Sequence, residues 1–260
     1  MTPPRSAPGA TDMTLPELEV ADRIATITLR RPEQANRLGP DDLAALADHI
    51  AHVNAMPEVL VLRLRAGGKY FCSGYDISQI GNARAVNFEE VVNGLEAARP
   101  VTIAQIQGGV YGGATDFALA CDFRVGASGV DMFMPAARLG LHFYQRGLER
   151  YVSRLGLDNA KRLLLTAERI DAQEMKAIGF LTHMATPEAL EETVAQLSRT
   201  CAAMAPLALL GMKRHLNGIG SGRLDTTALT DDLRRAAASA DLREGQAAWA
   251  EKRAPQFTGR

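Results

Sequence analysis

The sequence is poor in the features that would make a protein disulfide-bonded, metal-bound or membrane-embedded. Of its 260 residues three are cysteine, Cys72, Cys121 and Cys201, widely spaced and each among apolar neighbours. No disulfide framework and no zinc-ligand spacing can be drawn from them, so no metal site is expected and a reducing, cytoplasmic setting fits. No apolar run approaches the roughly 18 residues that a membrane span needs. Residues 1–13 hold Pro, Ala, Ser and Gly without an apolar segment, and read as a frayed tail rather than a secretory signal or an anchor. Neither sign of charge dominates, with 29 basic against 30 acidic residues and a formal net charge of −1. A nucleic-acid surface would show a basic excess or stripe, so no such partner is expected.

What is present suffices for a full core. The hydrophobic fraction is 47%, and the length suits one large domain or a domain with a helical appendage. Over 18–29, apolar Ile24, Ile27 and Leu29 with β-prone Thr26 and Thr28 predict a strand or strand pair, closed by Arg30-Arg31-Pro32. Asp41 and Asp42 can cap a helix that carries Leu43, Leu46, Ile50 and Val53 at helical spacing. A strand over 59–64, a helix from Asn87, a strand over 101–106, an apolar helix over 114–121 and a strand over 123–125 follow. Such alternation argues for an α/β domain with crossover connections. After about Arg146 the strand signal fades, and helical segments are expected over 148–154, 159–166, 172–178, 187–204, 207–216, 226–238 and 242–253.

Two glycine-rich stretches stand out. In Gly67-Gly68-Lys69-Tyr70-Phe71-Cys72-Ser73-Gly74-Tyr75-Asp76, a strand ends in a tight turn, and N–H groups after Gly74 lack strand partners. Gly108-Gly109-Val110-Tyr111-Gly112-Gly113-Ala114-Thr115-Asp116 opens a helix whose first N–H groups are also free. Facing each other, two such donors would make an oxyanion hole for a developing enolate. Singly, each stretch is also what a plain strand–helix connection looks like. Neither GxGxxG nor GxxxxGKS/T occurs, which argues against a dinucleotide or P-loop site.

The order and spacing of these stretches resemble the enoyl-CoA hydratase/isomerase, or crotonase, superfamily. The matching blocks are the region from Arg31-Pro32 to Leu38, GKYFCSGYDI at 68–77, RPVTIAQIQGGVYGGATDFALACDFRV at 99–125 and ADLREGQAAWAEKRAPQF at 240–257. PAARLGL at 135–141, LLLTAERIDAQEM at 163–175 and Gly179-Phe180-Leu181 fall in register between them. The resemblance implies a crotonase-like α/β fold, a spiral of ββα units with a helical C-terminal trimerisation region, assembled as a homotrimer or a dimer of trimers. With the tail over 1–13, this divides the chain into a core over 14–200 and a helical oligomerisation region over 201–260. By the same resemblance the backbone N–H groups of Tyr75 and Gly113 form the oxyanion hole, and Asp76 orients its loop. The CoA pantetheine would lie along Ser73, Gly74 and Tyr75, with the adenine end near Ala35 to Arg37. Trp249 and Lys252 match C-terminal positions that contact CoA, often across a subunit boundary, while Ser78 stands where the family pattern has a lysine. No cofactor beyond the CoA moiety of the substrate is implied.

Hydratases that this sequence resembles use two glutamates to handle one water and its proton. The first position is Asp116, a carboxylate on a stem one methylene shorter, and the second is Ala136, which can move no proton. Losing one positioned acid or base costs about 10²–10⁴-fold. Efficient two-carboxylate hydration is therefore not expected, whereas an isomerase needs one base and Asp116 could serve alone. Asp116 has a second reading, as a charge that complements a helix N-terminus.

Around Ala136 the stretch Gly140-Leu141-His142-Phe143-Tyr144-Gln145-Arg146-Gly147 more closely resembles the methylmalonyl-CoA decarboxylase branch, where a Tyr-containing segment stands in for the second glutamate. Tyr111 matches the aromatic residue which that branch carries before its Gly pair, but Tyr75 replaces its histidine and Phe143 stands where its tyrosine aligns. There, loss of carbon dioxide generates the enolate directly, and Tyr144 or His142 would protonate carbon. Taken alone, His142 is also what a surface or packing histidine looks like. The sequence thus implies an enzyme on an acyl-CoA thioester, with hydratase/isomerase activity as the family default. The alternatives are decarboxylation of a malonyl-type thioester and a catalytically weak CoA- or acyl-carrier-binding subunit.

Overall fold

The computed structural model describes residues 14–79 and 86–260; the tail expected over 1–13 lies outside them. In chain order the strands are β1 (Glu17–Ala21), β2 (Ile24–Leu29), β3 (Val61–Ala66), β4 (Tyr70–Cys72), β5 (Val101–Ile106), β6 (Gly109–Tyr111), β7 (Phe123–Ala127), β8 (Asp131–Phe133), β9 (Ile170–Asp171) and β10 (His183–Ala185). The α-helices are α1 (Pro40–Asn54), α2 (Phe88–Glu96), α3 (Gly113–Leu119), α4 (Gln145–Leu155), α5 (Leu157–Thr166), α6 (Ala172–Ala177), α7 (Leu190–Ala202), α8 (Pro206–Gly220), α9 (Thr226–Ala238) and α10 (Ala240–Glu251).

Among the described residues the strands form two sheets, ordered β1-β2-β3-β5-β7-β10 and β4-β6-β8-β9. β1 and β2 make an antiparallel hairpin, and every later pairing in the larger sheet is parallel. Parallel strands must be covered on both faces, so they read as apolar runs. Val59, Leu60, Val61 and Leu62, and likewise Val101, Ile103 and Ala104, are all buried. Three successive turns of chain each lay one strand on either sheet and then a helix, as β3-β4-α2, β5-β6-α3 and β7-β8-α4. This is the expected crotonase-like spiral of ββα units, and α7 to α10 close the chain without a further strand. Among the described residues no helix is long and apolar enough to cross a membrane.

Three local expectations are corrected. The strand signal does not end at Arg146, because β9 and β10 follow, and β10 joins the larger sheet from His183↔Val125 to Ala185↔Ala127. Strands of two and three residues are too short to show a period of two. The glycine-rich stretches are not bare loops, since β4 and β6 lie inside them and pair in parallel. Helix α1 is capped at Gly39, whose N–H donates to the Asp42 carboxylate at 2.7 Å, so Asp42 reaches back from the third helical position.

The small sheet sets the site's position. β4, β6 and β8 run parallel side by side, so the segments leaving their C-terminal ends emerge along one edge. The first of these segments is stitched to the chain before α1. Asn36 is 2% exposed and holds φ 51°. Its Nδ2 donates to the Gly67 and Tyr70 carbonyls, both at 2.8 Å, and its Oδ1 accepts the Arg31 N–H at 3.0 Å. The Ser73 N–H donates to Ala35 at 3.0 Å, and the Leu38 N–H to Gly74 at 2.9 Å. Asn36→Ala removes a donor from the part-buried Gly67 carbonyl and one of two from Tyr70, which keeps Gln107 Nε2 at 3.0 Å, and should lose about 1–3 kcal/mol, read as a lower urea midpoint at unchanged slope.

Candidate active site

A cavity of about 940 Å³ opens at the C-terminal edge of β4, β6 and β8. That is where an α/β sheet leaves room for a ligand, because neighbouring connections diverge beyond the carboxyl ends of parallel strands. Gly74 and Tyr75 line it from the first glycine loop, Gly112 and Gly113 from the second, and Pro135 and Ala136 from the chain after β8. Phe88 and Glu89 on α2 and the segment His142 to Tyr144 before α4 also line it.

The two glycine loops touch. Gly74 has φ 100°, and a Cβ there would lie 2.8 Å from the Tyr111 carbonyl oxygen and 3.1 Å from the Gly113 nitrogen. Only glycine allows that approach. The neighbouring donors are used: Asp76 N–H donates to Leu38 at 2.9 Å, and Gly112 N–H to Phe133 at 3.0 Å. Among the described residues the N–H groups of Tyr75 and Gly113 have no acceptor. Two unpaired backbone donors from touching loops thus border one cavity, as anchoring an anionic oxygen requires. Phe88 fixes α2 over them. A Cβ at Gly113 would sit 2.9 Å from Phe88 Cζ, and the Phe88 ring centroid lies 5.6 Å from that of Tyr75 and 6.4 Å from that of Tyr144.

Asp116 does not line this cavity; it stands behind Tyr144. Its side chain is fully buried, and Oδ2 accepts both the Tyr144 hydroxyl and Arg150 Nη1, the latter at 2.5 Å. Arg150 is equally buried, and its other nitrogens reach Glu96 at 3.1 and 3.2 Å and Asn93 at 2.9 Å. Burial pushes the Asp116 carboxyl above its ordinary value, opposed by the Arg150 guanidinium and the Tyr144 hydroxyl. Burial works against the charged guanidinium too, but Asp116 and Glu96 outweigh it and hold Arg150 above its ordinary value. One oxygen of Asp116 is thus committed to two donors. Asp116 Oδ1 has no partner among the described residues.

Tyr144 is thereby fixed at the cavity with its hydroxyl backed by a carboxylate. Burial first, then the Asp116 charge, raises its pKa well above the ordinary tyrosine value. His142 is exposed at the rim, with Nδ1 2.8 Å from the Phe143 carbonyl, where it can only donate; Nε2 is the ring's other nitrogen. Tyr111 also lines the cavity and donates to Asp131 at 3.0 Å while accepting from Arg169 at 2.8 Å.

The structure therefore brings Ser73, Gly74, Tyr75, Gly113, His142 and Tyr144 to one cavity. Ala35 and Arg37 lie beside it: Ala35 binds Ser73 through the backbone, and the exposed Arg37 is 3.8 Å from Asp76, whose carboxylate also holds Ser78. Trp249, 88% exposed, and Lys252 sit at the end of α10, away from the lining. Sequence reasoning missed Arg150, Phe88 and Glu89. Arg146, Arg150 and Arg154 recur at four-residue spacing, a pattern that reads as a solvated helix face, yet Arg150 is 1% exposed.

A cavity at the carboxyl ends of parallel strands, bordered by two unpaired backbone donors and a part-buried tyrosine, is the ligand site of an α/β protein. Residues 19–260 match the enoyl-CoA hydratase/isomerase family. A crotonyl-CoA hydratase of Syntrophomonas wolfei is 30% identical over 250 residues, covering 92% of this chain and 96% of the relative. A methylmalonyl-CoA decarboxylase of Escherichia coli is 28% identical over 251 residues, covering 92% and 95%. The crystal structure of an enoyl-CoA hydratase/carnithine racemase from Magnetospirillum magneticum superposes with a TM-score of 0.87 at 27% identity, over 95% of this chain and 96% of that one. The protein is an enzyme of the enoyl-CoA hydratase/isomerase family.

Removing one partner of the buried pair leaves the other charge under-compensated, so Asp116→Asn should lower the unfolding free energy by about 3 kcal/mol in a denaturant titration. Because its pKa is raised, Tyr144 stays protonated through the range in which ordinary tyrosines ionise, near pH 10. The difference in phenolate absorbance between wild type and Tyr144→Phe should accordingly stay flat through that pH.

Proposed function

We propose that this enzyme binds an acyl-CoA thioester, stabilises its enolate at the Tyr75 and Gly113 N–H groups, and reaches the enolate by decarboxylating a malonyl-type thioester. The observation that carries the reading is the withdrawal of Asp116 from the cavity into an ion pair with Arg150. With Ala136 at the other family position, neither expected carboxylate is placed to move a proton of bound substrate. Decarboxylation needs no base. The bond to the departing carboxylate breaks, its electron pair enters the enolate, and the thioester oxygen takes the charge between the two backbone donors.

Tyr144 then supplies the proton. An enolate carbon is more basic than a phenolate, so the raised pKa of Tyr144 keeps the proton in place without preventing its transfer. His142 stands at the rim of the same cavity, its Nδ1–H committed to the Phe143 carbonyl. The relative from Escherichia coli carries decarboxylation of methylmalonyl-CoA in its name, which supports the substrate class. The CoA chain would run along Ser73 to Tyr75 toward Ala35 and Arg37, and no cofactor besides CoA is required. Trp249 and Lys252 would serve a neighbouring subunit's CoA. A homotrimer or dimer of trimers is further supported by Met212, Leu216 and Ile219, which are 60%, 66% and 58% exposed along α8.

Incubation with crotonyl-, longer 2- and 3-enoyl-, malonyl-, methylmalonyl- and ethylmalonyl-CoA, followed by mass spectrometry, tests the reading. Loss of carbon dioxide from a malonyl-type thioester is expected, and Tyr144→Phe should slow turnover by about 10²-fold. Hydration or double-bond migration without decarboxylation would overturn it.

A further inference from the structure

Decarboxylation leaves two carboxylates of the cavity unused, Glu89 and Glu90. Glu89 lies in the first turn of α2, half-buried, on the cavity lining. Its backbone N–H is held by Asn87 Oδ1 at 2.9 Å, which fixes the turn. Phe88, the residue before it, is wedged against Gly113, Tyr75 and Tyr144, so this end of α2 is held directly over the two unpaired backbone donors. The buried carboxylates nearby are consumed: Asp116 by Arg150 and Tyr144, and Glu96 by Arg146 and Arg150. Among the described residues the Glu89 carboxylate has neither a hydrogen bond nor an ion pair. Its charge also acts on the Tyr144 hydroxyl. Glu90, next along the helix, lines the same cavity but is exposed.

We infer that Glu89 is the base of this site, able to take the α-proton of a bound acyl-CoA thioester that has no carboxylate to lose. The inference rests on the enolate-stabilising part of the proposed function and adds a second route into the same intermediate. The Cα–H bond breaks, and its proton goes to a Glu89 carboxylate oxygen. The electron pair forms the carbon–carbon double bond of the enolate, and the carbonyl π-electrons move onto the oxygen between Tyr75 and Gly113. Return of a proton from Glu89 to carbon restores the thioester, so no co-reactant is needed. In deuterium oxide the carboxyl exchanges with solvent, and the returned hydron is a deuteron.

Butyryl-CoA can neither add water nor lose carbon dioxide, so deuterium uptake at its α-carbon, read by mass spectrometry, isolates this step. Binding of butyryl-CoA is measured alongside by calorimetry. Wild type is expected to bind and to exchange, and Glu89→Gln to bind but exchange about 10²–10⁴-fold more slowly. Glu89→Asp, with the carboxylate on a shorter stem, should regain part of the rate, and Glu90→Gln should exchange within a few-fold of wild type. Exchange that persists in Glu89→Gln, or a wild type that binds butyryl-CoA without exchanging it, overturns the role of Glu89. Either result, with carbon dioxide still released from malonyl-CoA by the wild type, leaves the proposed function standing. Failure of the wild type to bind butyryl-CoA overturns the role of Glu89, and failure to release carbon dioxide from every malonyl-type thioester overturns the proposed function.

Discussion

The ion pair between Asp116 and Arg150 organises everything around the cavity. Both side chains are fully removed from solvent, and neither could be left alone there. A buried charge costs several kcal/mol unless it is paired and its remaining hydrogen-bonding positions are filled. Arg150 meets that demand by binding Asp116 on α3 together with Glu96 and Asn93 on α2. Three helices that belong to three different turns of the spiral are thereby tied at one guanidinium. The planar fork of arginine is suited to this, since it can satisfy several acceptors at fixed angles.

The pair also decides what the cavity can do. A carboxylate at position 116 would be free to act as a base if nothing claimed it; tied to Arg150, it becomes the support that orients the Tyr144 hydroxyl. The phenol, not the carboxylate behind it, is the group that reaches the cavity wall. Glu89, which no described arginine claims, lines the cavity with its carboxylate unpaired among the described residues. Which acid or base is available here follows from where the arginines go as much as from where the carboxylates are.

The glycine loops impose a second constraint. Parallel pairing of β4, β6 and β8 sends three connections out at one edge, and the contact between Gly74 and Gly113 brings two of them together. The Tyr75 donor stays unpaired because that segment bonds Leu38 on either side of it, at Gly74 and Asp76, and the Gly113 donor because Gly113 opens α3. Backbone donors of this kind do not depend on side-chain identity, so tyrosine at position 75 leaves them in place.

The alternation of strands and helices, the hairpin at the start, the helical end of the chain and both glycine loops were legible in the sequence, because periodicity and glycine are local signals. Tyr144 and the loop donors were legible through their resemblance to a family, and the structure gathers them at one cavity. The two-residue β9 and three-residue β10 were not, since strands that short exist only by pairing with a neighbour distant in sequence. Arg150 was not legible either, because an arginine at helical spacing looks solvated until the partners that neutralise it are in place. The sequence by itself determined the family, the α/β alternation of the first half and the absence of a second glutamate at Ala136. Only the tertiary structure decided that Asp116 is spent on Arg150 and that Glu89 is left free at the cavity. Charge pairing in a buried site depends on distances between residues far apart in the chain, and a linear pattern carries no record of those distances.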